Sequence, residues 1–189
     1  QIGADIDGEA VGDYSGSVSM NAAGDRLAIG ATLNDGNGLD AGHVRIYEWI
    51  GTSWTQIGQD IDGEAACDRS GISVSMNAAG DRLAIGAWGN DGNGLDAGHV
   101  RIYEWNGTTW TQLGQDINGE SAGDESGFLS VSMNAAGDRV AIGAHLNDGN
   151  GIDAGHVRIY DWSGTAWTQT GQDIDGEAAG DRSGISVSI

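Results

Sequence analysis

Asparagine and aspartate alternate with glycine at three places in the chain: Asn34 to Asp40 (NDGNGLD), Asn90 to Asp96 (NDGNGLD) and Asn147 to Asp153 (NDGNGID). Oxygen-bearing side chains separated by glycines suit a loop that wraps one Ca²⁺, an ion that takes about six to eight oxygens. Asp35, Asn37 and Asp40, then Asp91, Asn93 and Asp96, then Asp148, Asn150 and Asp153 are therefore candidate calcium ligands. The same residue types also close polar loops, bonding nearby backbone and tolerating left-handed geometry. Both readings stay open at this level. A second acidic motif, D-I-[DN]-G-E, recurs as Asp5, Asp7, Glu9; Asp60, Asp62, Glu64; Asp116, Asn118, Glu120; and Asp173, Asp175, Glu177. It lies where an outer strand ends and reads as a solvated acidic rim.

Three tryptophan pairs flank x-Gly-Thr turns: Trp49 with Trp54, Trp105 with Trp110, and Trp162 with Trp167. Aromatic faces of this kind stack on sugars, and they also pack across a hairpin, with Arg45, Arg101 and Arg158 available to stack beside them. Asn106-Gly107-Thr108 is a complete N-x-T acceptor, whereas its counterparts begin with Ile50 and Ser163. Asn106 is thus a candidate glycosylation site in a secreted eukaryotic protein. His43, His99 and His156 share one strand position, with no second histidine at metal-ligand spacing, and read as structural. His145 stands where the other copies have Thr32 and Trp88, so that position varies and suits a surface facing a partner. Cys67 is the only cysteine and replaces Gly12, Gly123 and Gly180, which leaves no disulfide and no metal spacing. Paired carboxylates can hydrolyse glycosides, but that needs two carboxyls in different environments, which near-identical copies do not supply. No catalytic residue is assigned, and no enzyme activity is expected.

These residues sit on a unit of about 56 residues that runs through 1–55, 56–111 and 112–168 and restarts at 169–189. A fixed period of this length signals a solenoid, array or propeller. No stretch has helical periodicity. In the second copy, GISVSMN (71–77) alternates apolar and serine residues. A turn at Ala78–Asp81 leads to RLAIGAW (82–88), where Ala84 and Gly86 leave one side small enough for a neighbouring sheet to approach. GHVRIYEW (98–105) and the Asn106-Gly107 hairpin signal follow, and TWTQLGQDI (109–117) reads as one exposed outer strand. Four short antiparallel strands per repeat predict an all-β chain built as tandem propeller blades: three blades and the first strand of a fourth. The copies differ in length only where the chain leads into the first strand, at SG-SVS, SG-I-SVS and SG-FL-SVS.

With 28 acidic and 8 basic residues, all arginine, the net charge is −20. Such a surface repels nucleic acid and anionic lipid, so neither nucleic-acid binding nor direct membrane insertion is expected. The chain begins in mid-repeat and stops in mid-strand, which reads as a window of a longer array.

The run SGISVSMNAAGDRLAIGA (70–87) resembles the FG-GAP repeat of integrin-alpha-type β-propellers and of secreted bacterial and algal proteins. Ser-Gly replaces the family's Phe-Gly, and Gly86-Ala87 lacks the proline that follows in that pattern. The resemblance implies a propeller in an extracellular or cell-surface protein. It also implies calcium in the turn before the hydrophobic strand, but NAAGD (77–81) keeps one carboxylate there, too few for that site. The expected function is a non-catalytic scaffold that assembles by blade packing with further blades or with other copies of itself. The alternatives are a calcium-assisted lectin or adhesin taking glycans or proteins, and an accessory domain of a secreted enzyme. No cofactor is required on this reading; calcium is the candidate one.

Overall fold

A computed structural model describes residues 1–189. It contains fifteen strands and no helix. The first repeat gives β1 (Ser15–Met20), β2 (Arg26–Ala31), β3 (His43–Trp49), β4 (Trp54–Gln56) and β5 (Ile61–Asp62). The second gives β6 (Ser73–Met76), β7 (Arg82–Ala87), β8 (His99–Trp105), β9 (Trp110–Gln112) and β10 (Ile117–Asn118). The third gives β11 (Val131–Met133), β12 (Arg139–Ala144), β13 (His156–Trp162), β14 (Trp167–Gln169) and β15 (Ile174–Asp175). Each set is one antiparallel meander, and these sheets are the expected blades.

The outer strand differs from the expectation of one run. In the second blade it is two pieces, β9 and β10, both paired to β8. Gly114 breaks it by taking a positive φ of 81°, a conformation open to glycine at no steric cost. The last segment also differs. Residues 176–189, expected to hold the first strand of a fourth blade, form no strand; Ser183 makes a single bridge to Gly155.

The apolar core lies between sheets. Alternation along each strand sends successive side chains to opposite faces, and each face meets a different neighbour. Ala28, Val44, Ile46 and Ile61 of the first blade pack against Met76, Leu83, Ile85, Tyr103 and Trp110 of the second. Ala84, Val100, Ile102 and Ile117, on the opposite face of the second blade, pack against Val131, Met133, Val140, Ile142, Tyr160 and Trp167 of the third. A blade therefore buries its apolar side chains only with a neighbour. Met20, on the uncovered face of the first blade, is 50% exposed, against 7% for Met76 and 6% for Met133.

Polar bonds repeat along the same junctions. The amide of Met76 donates to Ser19 Oγ at 2.9 Å, and that of Met133 donates to Ser75 Oγ at 2.9 Å. The serine column of the inner strand thus links one blade to the next. Arg26 and Arg82 each pair with a glutamate of their own sheet, Glu48 and Glu104, and donate across the junction to the carbonyls of Gly80 and Gly137 at 3.1 Å.

Candidate functional site

The candidate calcium loops engage their polar groups internally. Asp35 accepts the amide of Asp40 at 2.8 Å, Asp91 that of Asp96 at 2.9 Å, and Asp148 that of Asp153 at 2.8 Å. The Asn37 amide nitrogen donates to the carbonyls of Gly63 and Glu64, Asn93 to those of Gly119 and Glu120, and Asn150 to those of Gly176 and Glu177. Asp40, Asp96 and Asp153 all hold φ at 52°. The loops are closed by their aspartates and clamped by their asparagines to the segment that leads into the next blade.

The tryptophans lie in the blade junctions. Their ring centroids stand 5.5, 5.4 and 5.3 Å apart for Trp49–Trp54, Trp105–Trp110 and Trp162–Trp167. Gly58, from the preceding blade's outer segment, sits on the Trp105–Trp110 pair, where a Cβ would meet Trp105 at 2.8 Å. Trp110 Nε1 donates to the Ile57 carbonyl at 3.2 Å and Trp167 Nε1 to that of Leu113 at 2.8 Å. Trp110 and Trp167 are buried, so their faces are covered by protein, whereas Trp49, Trp54, Trp105 and Trp162 are half-buried. The arginines lie over tyrosines instead of tryptophans: Arg45 over Tyr47, Arg101 over Tyr103 and Arg158 over Tyr160, at 5.6–5.7 Å. Asn106 sits at an exposed hairpin tip, where its Oδ1 accepts the amides of Thr108 and Thr109 at 3.0 Å.

The D-I-[DN]-G-E motif is divided by the fold. Asp60 joins His43 and Glu9, Asp116 joins His99 and Glu64, and Asp173 joins His156 and Glu120, with ligand-capable atoms within 4.8 Å of one another in each group. The histidines are 1% exposed and the glutamates sit at the surface. Asp60 thus turns to its own blade's histidine, while Glu64, four residues later, reaches the histidine of the next blade.

A different feature separates the copies from one another. Before the Ser-Gly pair stand Tyr14, Arg69, Glu125 and Arg182; after it stand Ile72 or Phe128-Leu129; and after Gly-Ala stand Thr32, Trp88 and His145. These positions share one end of the inner strands and touch in sequence across the blades. Thr32 Oγ1 donates to the Arg69 carbonyl at 3.1 Å. The Arg69 guanidinium lies 4.7 Å from the Trp88 ring centroid. Trp88 meets Phe128 edge-on at 5.7 Å, and Phe128 stacks on His145 at 5.1 Å. His145 Nε2 stands 3.8 Å from Glu125 Oε2. Tyr14, Arg69, Glu125 and Arg182 all hold positive φ, between 51° and 56°, where a side chain other than glycine is strained.

A cleft of about 320 Å³ opens on this face, walled by Tyr14, Ser17 and Thr32 of the first blade, Ile72 of the second and Leu129 of the third. That is the low end of small-molecule sites. Burial pushes the Glu125 carboxyl up, helped by Asp96 and opposed by Arg182 and Arg69. Burial pushes the His145 imidazole down, as does Arg182. His145 Nδ1 is buried without a partner. Of these residues, the varying position of Thr32, Trp88 and His145 and the length change at Ile72 and Phe128-Leu129 are visible in the sequence. Glu125 shares its column with Tyr14, Arg69 and Arg182, where no carboxylate recurs to mark it.

No family model and no curated protein matches the chain. Among solved structures it is similar to a candidate 6-phosphogluconolactonase from Bacteroides uniformis, at 15% identity and a TM-score of 0.59. The match covers 86% of this chain and 41% of the other, so the chain spans less than half that protein's length. Identity this low shows a shared fold alone. It still corrects the expectation of a non-catalytic scaffold and the two alternatives beside it: blades of this build occur in a protein named for an enzyme, so the fold gives no ground for excluding catalysis.

Proposed function

We propose that the non-repeated face binds a small oxygen-rich ligand and that Glu125 and His145 act there as an acid–base pair in hydrolysis. One observation carries this reading: residues that break the repeat converge on the face that also holds the cleft and a histidine–carboxylate pair present in one copy only. A repeat protein gains a distinctive site only where its copies differ. Burial raises the Glu125 carboxyl and lowers the His145 imidazole, opposite shifts that suit proton exchange within the pair. Neutral His145 takes a proton from water as its oxygen bonds to an acyl carbon. Protonated Glu125 returns one to the departing oxygen as the acyl C–O bond breaks. Lactone opening is the matching reaction class, and the name of the Bacteroides protein makes it the first to test. Arg69 and Arg182, whose charges reach Glu125, favour an anionic ligand.

The test is hydrolysis of glucono-δ-lactone and its 6-phosphate by the full chain, followed in a pH-stat. The expected result is a rate above spontaneous opening that falls by about 100-fold or more in Glu125→Gln and in His145→Asn, with the β-sheet circular dichroism intact. A rate equal to buffer for both lactones, or variants as fast as the parent, refutes the proposal.

A further inference from the structure

We infer that each Glu–His–Asp group, at Glu9–His43–Asp60, Glu64–His99–Asp116 and Glu120–His156–Asp173, is a site for one divalent transition-metal ion that staples neighbouring parts of the array. The inference stands apart from the non-repeated face, since these groups are copied in every repeat.

Each glutamate has one oxygen already held and the other turned toward the imidazole. Glu64 Oε1 pairs with Arg101 Nη1 at 3.5 Å, while its Oε2 stands 3.9 Å from His99 Nδ1. The same division recurs at Glu9, with Arg45 at 3.5 Å and His43 at 3.8 Å, and at Glu120, with Arg158 at 3.5 Å and His156 at 3.9 Å. On the other side, Gln56, Gln112 and Gln169 donate to Oδ1 of Asp60, Asp116 and Asp173 at 2.6, 2.6 and 2.5 Å. For Asp173 this leaves Oδ2 at 4.0 Å from His156 Nδ1. Partners that fix a ligand's orientation through its other atom are the usual support of a metal centre.

The histidines give the second, independent observation. His99 and His156 are 1% exposed, and neither ring nitrogen of either has a hydrogen-bond partner. A buried imidazole without partners is costly. The gap of 3.8–3.9 Å to the glutamate is too long for a hydrogen bond but suits two ligands of one ion at about 2.0–2.2 Å from each. At 42–45% exposure the glutamates can close the remaining distance. One nitrogen and two carboxylate oxygens suit zinc, cobalt or manganese better than calcium, which takes oxygen alone.

The arrangement crosses a blade boundary: Glu64 follows the first blade's outer strand, whereas His99 and Asp116 belong to the second. An ion there would tie the two together. The full chain is stripped with chelator, dialysed against ZnCl₂ and, separately, CoCl₂, and assayed for bound metal. The expected uptake is three ions per chain, one for each group, with a rise in melting temperature and cobalt d–d absorption in the visible. Glu64→Gln should lower the uptake from three to two and the cobalt band by about a third; the partly exposed side chain makes this variant tolerable to the fold. The combined Glu9→Gln, Glu64→Gln, Glu120→Gln chain should bind none. Uptake unchanged in the combined variant means diffuse binding by the acidic surface, and absence of uptake by the parent means that only water fills the groups. Either result overturns the inference.

Discussion

Replacing Gly86 with alanine tests whether the blades are held face to face by backbone approach. Gly86 lies in β7, has no positive φ, and faces Gly127 of the next blade. A Cβ there would stand 3.1 Å from the Gly127 carbonyl carbon and closer still to its oxygen and to Ser73 Oγ. The obstacle is backbone, which cannot rotate aside, so the two sheets must part along the layer that joins Ile102 to Val131 and Ile142. Overpacking of this kind costs about 1–3 kcal/mol. At about 2–4 °C per kcal/mol for a chain of this size, the melting temperature should fall by about 2–12 °C. Gly16→Ala is the control: its Cβ would meet nothing within 4 Å and its φ is not positive. It should be neutral or raise stability by about 0.4–1 kcal/mol through the unfolded chain. Thermal unfolding followed by circular dichroism and tryptophan fluorescence separates the two. If Gly86→Ala and Gly16→Ala melt together, close packing of the blade faces is not what holds the array.

The tryptophan pairs should be graded by position. Trp110→Ala removes a buried ring from the first junction and should cost about 3–5 kcal/mol, whereas Trp54→Ala, at a half-buried site, should cost well under that; urea midpoints with unchanged slopes would check it. Alkaline pH should destabilise the fold. Burial raises the phenols of Tyr103 and Tyr160 above their ordinary value of 10.0, against the pull of Arg101 and Arg158. A raised folded-state value gives stability that is whole below pH 10 and is lost as pH rises through the folded value, because the unfolded chain releases those protons first. In a Tyr14→Phe chain, which removes the one exposed phenol (Tyr14 is 74% exposed), tyrosinate absorption should therefore appear together with unfolding above pH 10. Its appearance in the intact fold near 10 would contradict the burial account.

The regular parts of the blade were legible because a two-residue alternation states which side chains face which way. SVSM and RLAIGA fall in β6 and β7, HVRIYEW is β8, and the small column at Ala84 and Gly86 marks where a neighbour approaches. The outer strand was not legible. TWTQLGQDI carries no proline or hairpin signal, and its break rests on the positive φ of Gly114, which composition does not reveal. The sequence offers Arg101 as a neighbour to the tryptophans, but the ring it covers is Tyr103, two residues along the same strand.

Sequence by itself determined that this protein is a tandem of short antiparallel sheets needing neighbours, since period, alternation and turn residues are local properties of the chain. Only tertiary structure decided which acids meet which histidine. Asp60 and Glu64 look like one cluster in the sequence, yet the outer strand ends between them and sends them to the histidines of different blades. Tertiary packing likewise drew Thr32, Trp88, Phe128, His145 and Glu125 into one patch from three repeats. Both sites depend on side chains far apart along the chain, and their approach is set by how the sheets stack, which no local pattern encodes.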